Sequence, residues 1–148
     1  MKAVCWFAVN GKWEGTFTPG EYSVCWRLKV VNPQGGQQHF LAWKKPLRFS
    51  LSYLGTSVQK ELDLRNLPRN GFEKWFEFMV GEIVVRGIYD SAVKLKLEFG
   101  IEEIDCSFWK GGLFLDCLTV RPSHCDETIY RSQPELHASS ARGRPGVF

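Results

Sequence analysis

The chain has 148 residues, of which 44% are hydrophobic and 24% charged, a balance typical of one globular domain and not of a disordered chain. Nineteen basic and 16 acidic side chains leave a formal net charge of +3, which is too weak to argue for nucleic-acid binding through a clustered basic face. No apolar run approaches the roughly 18 residues of a transmembrane helix, so we expect no membrane span. The N-terminus lacks the features of a signal peptide, which favours a cytoplasmic or nucleocytoplasmic protein with mostly reduced thiols.

Alternation of apolar and polar side chains dominates the chain and predicts half-buried antiparallel strands. Residues 21–31, 47–53 and 93–99 alternate in this way. Four further runs are continuously apolar and predict strands that are buried on both faces: residues 3–9, 76–80, 83–85 and 113–120. Residues 57–67 fit a helix or a strand, and dipeptides such as Asn10-Gly11 and Asn70-Gly71 predict turns between strands. The pattern therefore predicts an all-β, antiparallel two-sheet β-sandwich, jelly-roll-like, with few or no helices.

The composition changes after Pro122, where the sequence becomes rich in Ser, Arg and Pro. We therefore expect one domain over residues 1–122 and an irregular C-terminal tail over residues 123–148, mobile or loosely docked.

Sequence motifs for catalysis or metal binding do not occur in the chain. It has no GxSxG, HExxH or phosphate-loop motif, so we expect no enzyme, no cofactor and no metal. Five cysteines are widely spaced without a CxxC pair, which favours free thiols over a zinc site; they are Cys5, Cys25, Cys106, Cys117 and Cys125. Glu102, Glu103 and Asp105 are interpreted as a solvated acidic loop, because a glycosidase pair faces across a cleft.

Six tryptophans are the unusual feature of the composition. A sugar ring stacks its C–H face on an exposed indole, and a nearby carboxylate accepts hydrogen bonds from its hydroxyls. Residues 98–112 supply both side-chain types, as do the pairs Trp6 with Asn10 and Trp13 with Glu14. Trp26 is predicted in the core, whereas Trp109 is as compatible with the surface as with the core.

Four sequence blocks resemble the phloem protein 2 family, the Nictaba-like plant lectins. Residues 4–12, VCWFAVNGK, resemble the family's "WLxxxGK" strand, and residues 22–29, YSVCWRLK, resemble its next strand. Residues 70–83, NGFEKWFEFMVGEI, resemble the "DGWxEIxLGEF" block. The closing "WKxGLxxxGxxIRP" block resembles residues 108–113, FWKGGL, with residues 120–122, VRP. The blocks follow the family order over residues 3–122.

The resemblance implies a jelly-roll β-sandwich that binds N-acetylglucosamine oligomers or the core of N-glycans on glycoproteins, without metal and without catalysis. It implies Trp109 for stacking and Glu98 as the hydrogen-bond acceptor. Asp105 and Lys110 would line the site, and Trp6 matches the family's Trp of the first block. The location implied is nucleocytoplasmic or phloem sap.

A second reading is a phloem structural or interaction protein that forms thiol-linked assemblies, with weak or lost sugar binding. It leaves a homodimer and RNA open as partners, although the charge does not support RNA. The resemblance begins after the family's upstream "ITW…YW" segment, and no F-box sequence precedes it, so we expect a chain outside the F-box-fused branch.

Overall fold

The computed structural model describes residues 4–31, 43–68, 71–88 and 91–123. The predicted C-terminal tail lies outside these ranges except for Ser123, and so does Cys125. No helix in the described ranges is long and apolar enough to cross a membrane.

Seven strands and one short 3-10 turn form within the described ranges. The strands are β1 (Phe7–Phe17), β2 (Gly20–Val30), β3 (Leu47–Tyr53), β4 (Thr56–Leu62), β5 (Trp75–Val85), β6 (Val93–Glu103) and β7 (Leu113–Pro122). They build a four-stranded sheet in the order β1-β6-β3-β4 and a three-stranded sheet in the order β5-β2-β7. All pairs are antiparallel, so the predicted all-β two-sheet architecture is confirmed.

The core lies between the two sheets and follows the alternation of the sequence. Val24, Trp26, Leu28 and Val30 of β2 are all buried, as predicted for one face of this strand. They meet the inward side chains of β3 and β6, which are Leu47, Phe49, Leu51, Leu95, Leu97 and Ile101. A ring contact at 4.6 Å between the centroids of Phe49 and Phe78 joins the two sheets directly.

The first strand differs from its prediction. Residues Asn10-Gly11 were expected in a turn, yet β1 continues through them to Phe17, and Gly11 pairs with Phe99 of β6. A Cβ at Gly11 would lie 2.6 Å from Phe99 Cζ. The glycine is therefore needed for the close approach of an aromatic ring, and the turn prediction at this site is wrong.

In two further segments, the secondary structure differs from what the sequence patterns predict. Residues 76–80 and 83–85 belong to one strand, β5, and the ambiguous segment 57–67 forms β4 followed by the 3-10 turn Leu64–Asn66. Asp63 caps this turn, since its side chain accepts a hydrogen bond from Arg65 N at 3.0 Å. The capping carboxylate ends β4 and turns the chain toward β5.

The connection between β6 and β7 (residues 104–112) passes from the four-stranded to the three-stranded sheet. There it meets the N-terminal segment, because Val4 and Lys110 form an antiparallel bridge with backbone N–O distances of 2.9 and 2.7 Å. This bridge fixes the loop that carries most of the predicted site residues.

Candidate functional site

Lys110 anchors the loop from the inside. Its side chain is 1% exposed, and Nζ lies 2.6 Å from Glu103 Oε2. The ammonium also donates to the Cys5 carbonyl at 2.7 Å and to the Asp105 carbonyl. Burial is the first cause that lowers the pKa of Lys110, and the Glu103 carboxylate lies opposite it as the counter-charge. An ammonium in this position cannot touch a surface ligand, so the predicted lining role of Lys110 is replaced by an anchoring role.

Two exposed indole rings belong to the two segments that this anchor joins. Trp109 directly precedes Lys110, and Trp6 lies two residues beyond Val4; each is 62% exposed. The Val4–Lys110 bridge joins the backbones of the two segments that carry them. We call this region, which contains Trp6, Trp109 and Asp105, the tryptophan end.

Asp105 contributes an ionised carboxylate to the tryptophan end. Oδ2 lies 2.8 Å from Lys45 Nζ, and Oδ1 accepts a hydrogen bond from Ser107 N at 2.8 Å. These contacts, Lys45 first, hold the pKa of Asp105 well below its usual range. The carboxylate therefore stays charged at every physiological pH and keeps lone pairs for a ligand's hydroxyl or amide group.

Glu98 lies on a second surface, a polar groove in the outer face of the four-stranded sheet. The groove has a volume of about 420 Å³, and its polar walls come from Asn10, Lys12, Ser50, Ser52 and Glu98. Gly100 lies next to two of these residues, and a Cβ there would stand 3.0 Å from Ser50 Oγ. We call this surface the Glu98 groove.

The Glu98 carboxylate is held by two lysines. Oε1 lies 3.1 Å from Lys12 Nζ on β1 and 3.6 Å from Lys96 Nζ on its own strand. The hydrogen bond from Lys12 is the main cause that lowers the pKa of Glu98. This acceptor is therefore ionised, but it shares its oxygens with neighbouring ammonium groups.

The structure does not bring Glu98 and Trp109 into one site. Glu98 lies five residues before the end of β6 at Glu103, a distance of roughly 17 Å along a strand. Trp109 follows in the loop beyond that end, and it does not line the Glu98 groove. The predicted set is thus divided: Trp109, Trp6 and Asp105 share the tryptophan end, and Glu98 belongs to the groove.

Of the other four tryptophans, two are buried and two are partly exposed on strands. Trp26 is 6% exposed, which confirms the core position predicted for it, and Trp43 is also buried. Trp13 lies over Gly15 and packs edge-on against Phe17, with ring centroids 5.7 Å apart. Trp75 lies on β5 of the opposite sheet, beneath the cations of Arg27 and Lys29.

The acidic cluster of the sequence is not a solvated loop. Glu102 and Glu103 end β6, and only Asp105 follows it. Each carboxylate has its own cation: Arg48 for Glu102 at 3.5 Å, Lys110 for Glu103 and Lys45 for Asp105. Among the residues with described positions, no three His, Cys, Asp or Glu side chains are grouped to hold a metal ion.

Sequence reasoning missed the Glu98 groove as a surface. Asn10, Ser50 and Gly100 are distant in sequence and become neighbours only through the register of β1, β6 and β3, which pairs Gly100 with both of the others. The one local signal is Gly100 itself, an outward-facing glycine between Phe99 and Ile101 in an otherwise alternating strand.

The fold places the chain among antiparallel β-sandwich domains. The family model of Phloem protein 2 matches residues 1–122, and the chain belongs to this family. It is 32% identical to "F-box protein PP2-A12" of Arabidopsis thaliana over 143 residues, which cover 88% of this chain and 46% of the relative. It is 30% identical to "Protein PHLOEM PROTEIN 2-LIKE A1" of the same plant, over 82% of this chain and 46% of that protein.

The chain thus spans about half the length of the curated relatives it matches. Because F-box proteins are among them, the expectation of a chain outside the F-box-fused branch stays a prediction. A solved α-L-fucosidase from Vibrio sp. strain EJY3 superposes with a TM-score of 0.43 and 23% identity, over 76% of this chain and 20% of that one. A likeness of this size supports no conclusion about function.

Proposed function

We propose that the chain is a non-catalytic carbohydrate-binding protein that recognises N-acetylglucosamine oligomers or the core of N-glycans at the tryptophan end. The observation that carries the proposal is that Trp109 on the loop and Trp6 on the N-terminal segment are each 62% exposed, next to the backbone that the buried Lys110 joins. Indole rings exposed to water on a fixed backbone leave apolar surface unburied, and a sugar ring that stacks on them removes this surface from water.

The chemistry of the tryptophan end fits this class of ligand. Covering about 80 Å² of indole contributes about 2 kcal/mol at roughly 25 cal/mol per Å². The ionised Asp105 carboxylate then accepts a charge-assisted hydrogen bond from a hydroxyl or from the N–H of an acetamido group. Stacking supplies affinity, and the carboxylate supplies orientation.

The test is calorimetric titration of the whole chain with chitotriose. Trp109→Ala is expected to weaken binding at least tenfold, since about 2 kcal/mol of stacking is lost. Trp75→Ala is the control, because it removes a partly exposed indole, 40% exposed, from the three-stranded sheet; it is expected to bind normally. Equal affinity of the two variants would disprove the assignment of the tryptophan end, provided that both melt like the parent.

One further variant decides whether the Glu98 groove takes part in binding. Glu98→Gln removes the charge of the groove, and we expect a further loss of affinity only if a longer oligomer reaches it from the tryptophan end. If the Glu98→Gln variant binds chitotriose normally but binds a longer oligomer more weakly than the parent does, Glu98 contacts the longer oligomer in the groove. Loss of all binding in Glu98→Gln with normal binding in Trp109→Ala would move the site to the groove.

We also propose, as a second candidate, an interaction protein of the phloem sap that forms thiol-linked assemblies. Its support is that the thiols of Cys106 and Cys117 are exposed. Oxidised samples on non-reducing gels should then show ladders that Cys117→Ser removes. Ladders together with an empty glycan array would favour this candidate over the lectin.

A further inference from the structure

The first strand forms a long and regular edge of the four-stranded sheet. β1 pairs with β6 over all eleven of its residues, Phe7–Phe17, without a shift in register. In the part of the chain that the structure describes, no strand pairs with the other side of β1. Every second residue of an edge strand directs its backbone N–H and C=O away from the sheet, so this edge can accept a further strand.

The other three edges within the described ranges are bulged or short. β5 and β7, the edges of the three-stranded sheet, each show a register shift against β2. β4 has only seven residues, and its Lys60 Nζ reaches across to the Met79 carbonyl of β5 at 2.9 Å. Bulges and short charged strands keep sheet edges from pairing with other chains. Among these four edges, β1 alone is both long and free of bulges.

The charged side chains of β1 are complementary to those of a second copy of the same strand. Lys12 and Glu14 are the only charged residues of β1. If two copies run antiparallel about a two-fold axis at Trp13, each Lys12 lies opposite Glu14 of the other copy. An axis at either of the charged residues would instead set two like charges against each other, which destabilises a sheet.

The alternation of charge continues into both four-stranded sheets. Within one chain, Lys12 lies opposite Glu98 of β6, and Glu14 lies opposite Lys96. Across the paired edges, one row of side chains therefore runs in the order Glu98, Lys12, Glu14, Lys96, and the two-fold axis repeats it in reverse. Each charge in the row has an opposite charge beside it, so the row favours the register centred on Trp13.

The inward face of β1 gains apolar neighbours in the same register. Val9 and Trp13 are partly exposed, although they lie on the same side of the strand as the buried Phe17. Pairing about Trp13 sets Val9 opposite Phe17 of the second copy and brings the two Trp13 side chains together at the axis. Aromatic pairs and aromatic pairs with β-branched side chains are among the favourable cross-strand combinations.

We propose that two copies of this chain pair through β1, antiparallel about Trp13, and join their four-stranded sheets into one continuous sheet of eight strands. The interface is separate from the tryptophan end, because β1 begins after Trp6. It also differs from a thiol-linked assembly, since β1 contains no cysteine.

The test is sedimentation equilibrium of the whole chain under reducing conditions, where the parent is expected to dimerise. Glu14→Lys and Lys12→Glu each replace two opposite-charge pairs by two like-charge pairs, and each should weaken the dimer at least about tenfold. An equal mixture of the two variants should recover the affinity of the parent, because opposite charges then meet at both positions. A monomeric parent, a dimer that neither variant weakens, or a mixture that stays monomeric would overturn the proposal.

The matched control is Glu61→Lys, which makes the same change of charge on β4, at the other edge of the same sheet. It should dimerise like the parent. A loss of affinity as large as that of Glu14→Lys would assign the effect to net charge and contradict the proposed interface.

Hydrogen exchange of the parent covers the case in which the charge variants do not fold. The backbone amides of β1 should exchange more slowly at high than at low protein concentration, whereas those of β4 should exchange at the same rate in both samples. Exchange in β1 that does not depend on concentration would refute the pairing.

Discussion

Leu54 has a backbone conformation that conflicts with its side chain. It occupies the two-residue turn between β3 and β4 with φ at 46°, and Gly55 follows with φ at 75°. Two successive positive φ angles are typical of a type I′ hairpin turn, which favours Asn-Gly. A leucine at the first position carries the steric cost of the left-handed region, and its side chain is 67% exposed, so packing does not compensate.

Leu54→Asn is therefore expected to stabilise the protein by about 0.5–1 kcal/mol, because asparagine tolerates the left-handed conformation. Chemical denaturation measures the free energy of unfolding. Leu54→Ala is the control, since it removes the exposed side chain and keeps the unfavourable φ. If the alanine variant were as stable as the asparagine variant, the backbone explanation would fail.

At the scale of elements, the end of β6 and the following loop are joined by the buried pair of Glu103 and Lys110. Both side chains are nearly inaccessible, at 3% and 1% exposure. Glu103 Oε1 also accepts a hydrogen bond from Asp105 N at 2.8 Å. The carboxylate thus holds both the ammonium and the first turn of the loop, and the tryptophan end depends on it.

Glu103→Gln is expected to destabilise the protein by about 3–5 kcal/mol, because it leaves the Lys110 ammonium buried without its counter-charge. Glu102→Gln is the matched control on the same strand. Its carboxylate faces outward toward Arg48 at 39% exposure, and it should cost no more than about 1 kcal/mol. Similar unfolding midpoints in urea for the two variants would show that the buried pair does not anchor the loop.

Strands with a strict period of two could be predicted from the sequence, and the reason is local. In β2, β3 and β6, each side chain's face follows from its position in the alternation, which is independent of the neighbouring strand. The continuation of β1 through Asn10-Gly11 and the burial of Glu103 depend on partners far away in sequence, namely Phe99 and Lys110. Such features are set by register, which no single segment encodes.

The same limit applies to the candidate site. Exposure of Trp109 follows from its place in a Gly-flanked loop and was one of two alternatives left open by the sequence. Glu98 was assigned to the same site as Trp109, but the length of β6 between them separates the two groups. Burial of Lys110 could not be inferred, because a lysine between Trp and Gly has no local reason to point inward.

At the scale of the whole molecule, the N-terminal segment and the β6–β7 loop lie side by side, and each carries a cysteine. The carbonyls of Cys5 and Asp105 accept hydrogen bonds from the same Lys110 ammonium, which holds the two backbones close together. The Cys5 thiol lies close enough to Cys106 to raise the pKa of the Cys106 thiol, after burial as the first cause. Both are free thiols, and oxidation could join them in a disulfide.

Hydrogen peroxide is expected to join Cys5 and Cys106 in a disulfide within one chain. The first thiolate displaces water from the peroxide to give a sulfenic acid, and the second displaces hydroxide from it, so two thiols are oxidised and one peroxide is reduced to two waters. Loss of hydration and the neighbouring Cys5 thiol raise the pKa of Cys106 above its ordinary value. The reaction should therefore be slow at neutral pH and accelerate as the pH rises through the range in which the thiol ionises.

The bond would close a loop of about 100 residues, and we expect it to stabilise the oxidised chain by about 2–4 kcal/mol. Peptide mapping without reduction should recover the two cysteines as one linked pair, and the melting temperature should rise in the parent but not in Cys5→Ser. Cys117→Ser is the matched control, because it removes an exposed thiol on β7 and should keep the full gain. This intramolecular bond competes with the assembly of chains through Cys106. If oxidation gave covalent dimers through Cys106 while Cys5 stayed reduced, the predicted disulfide between Cys5 and Cys106 would be wrong.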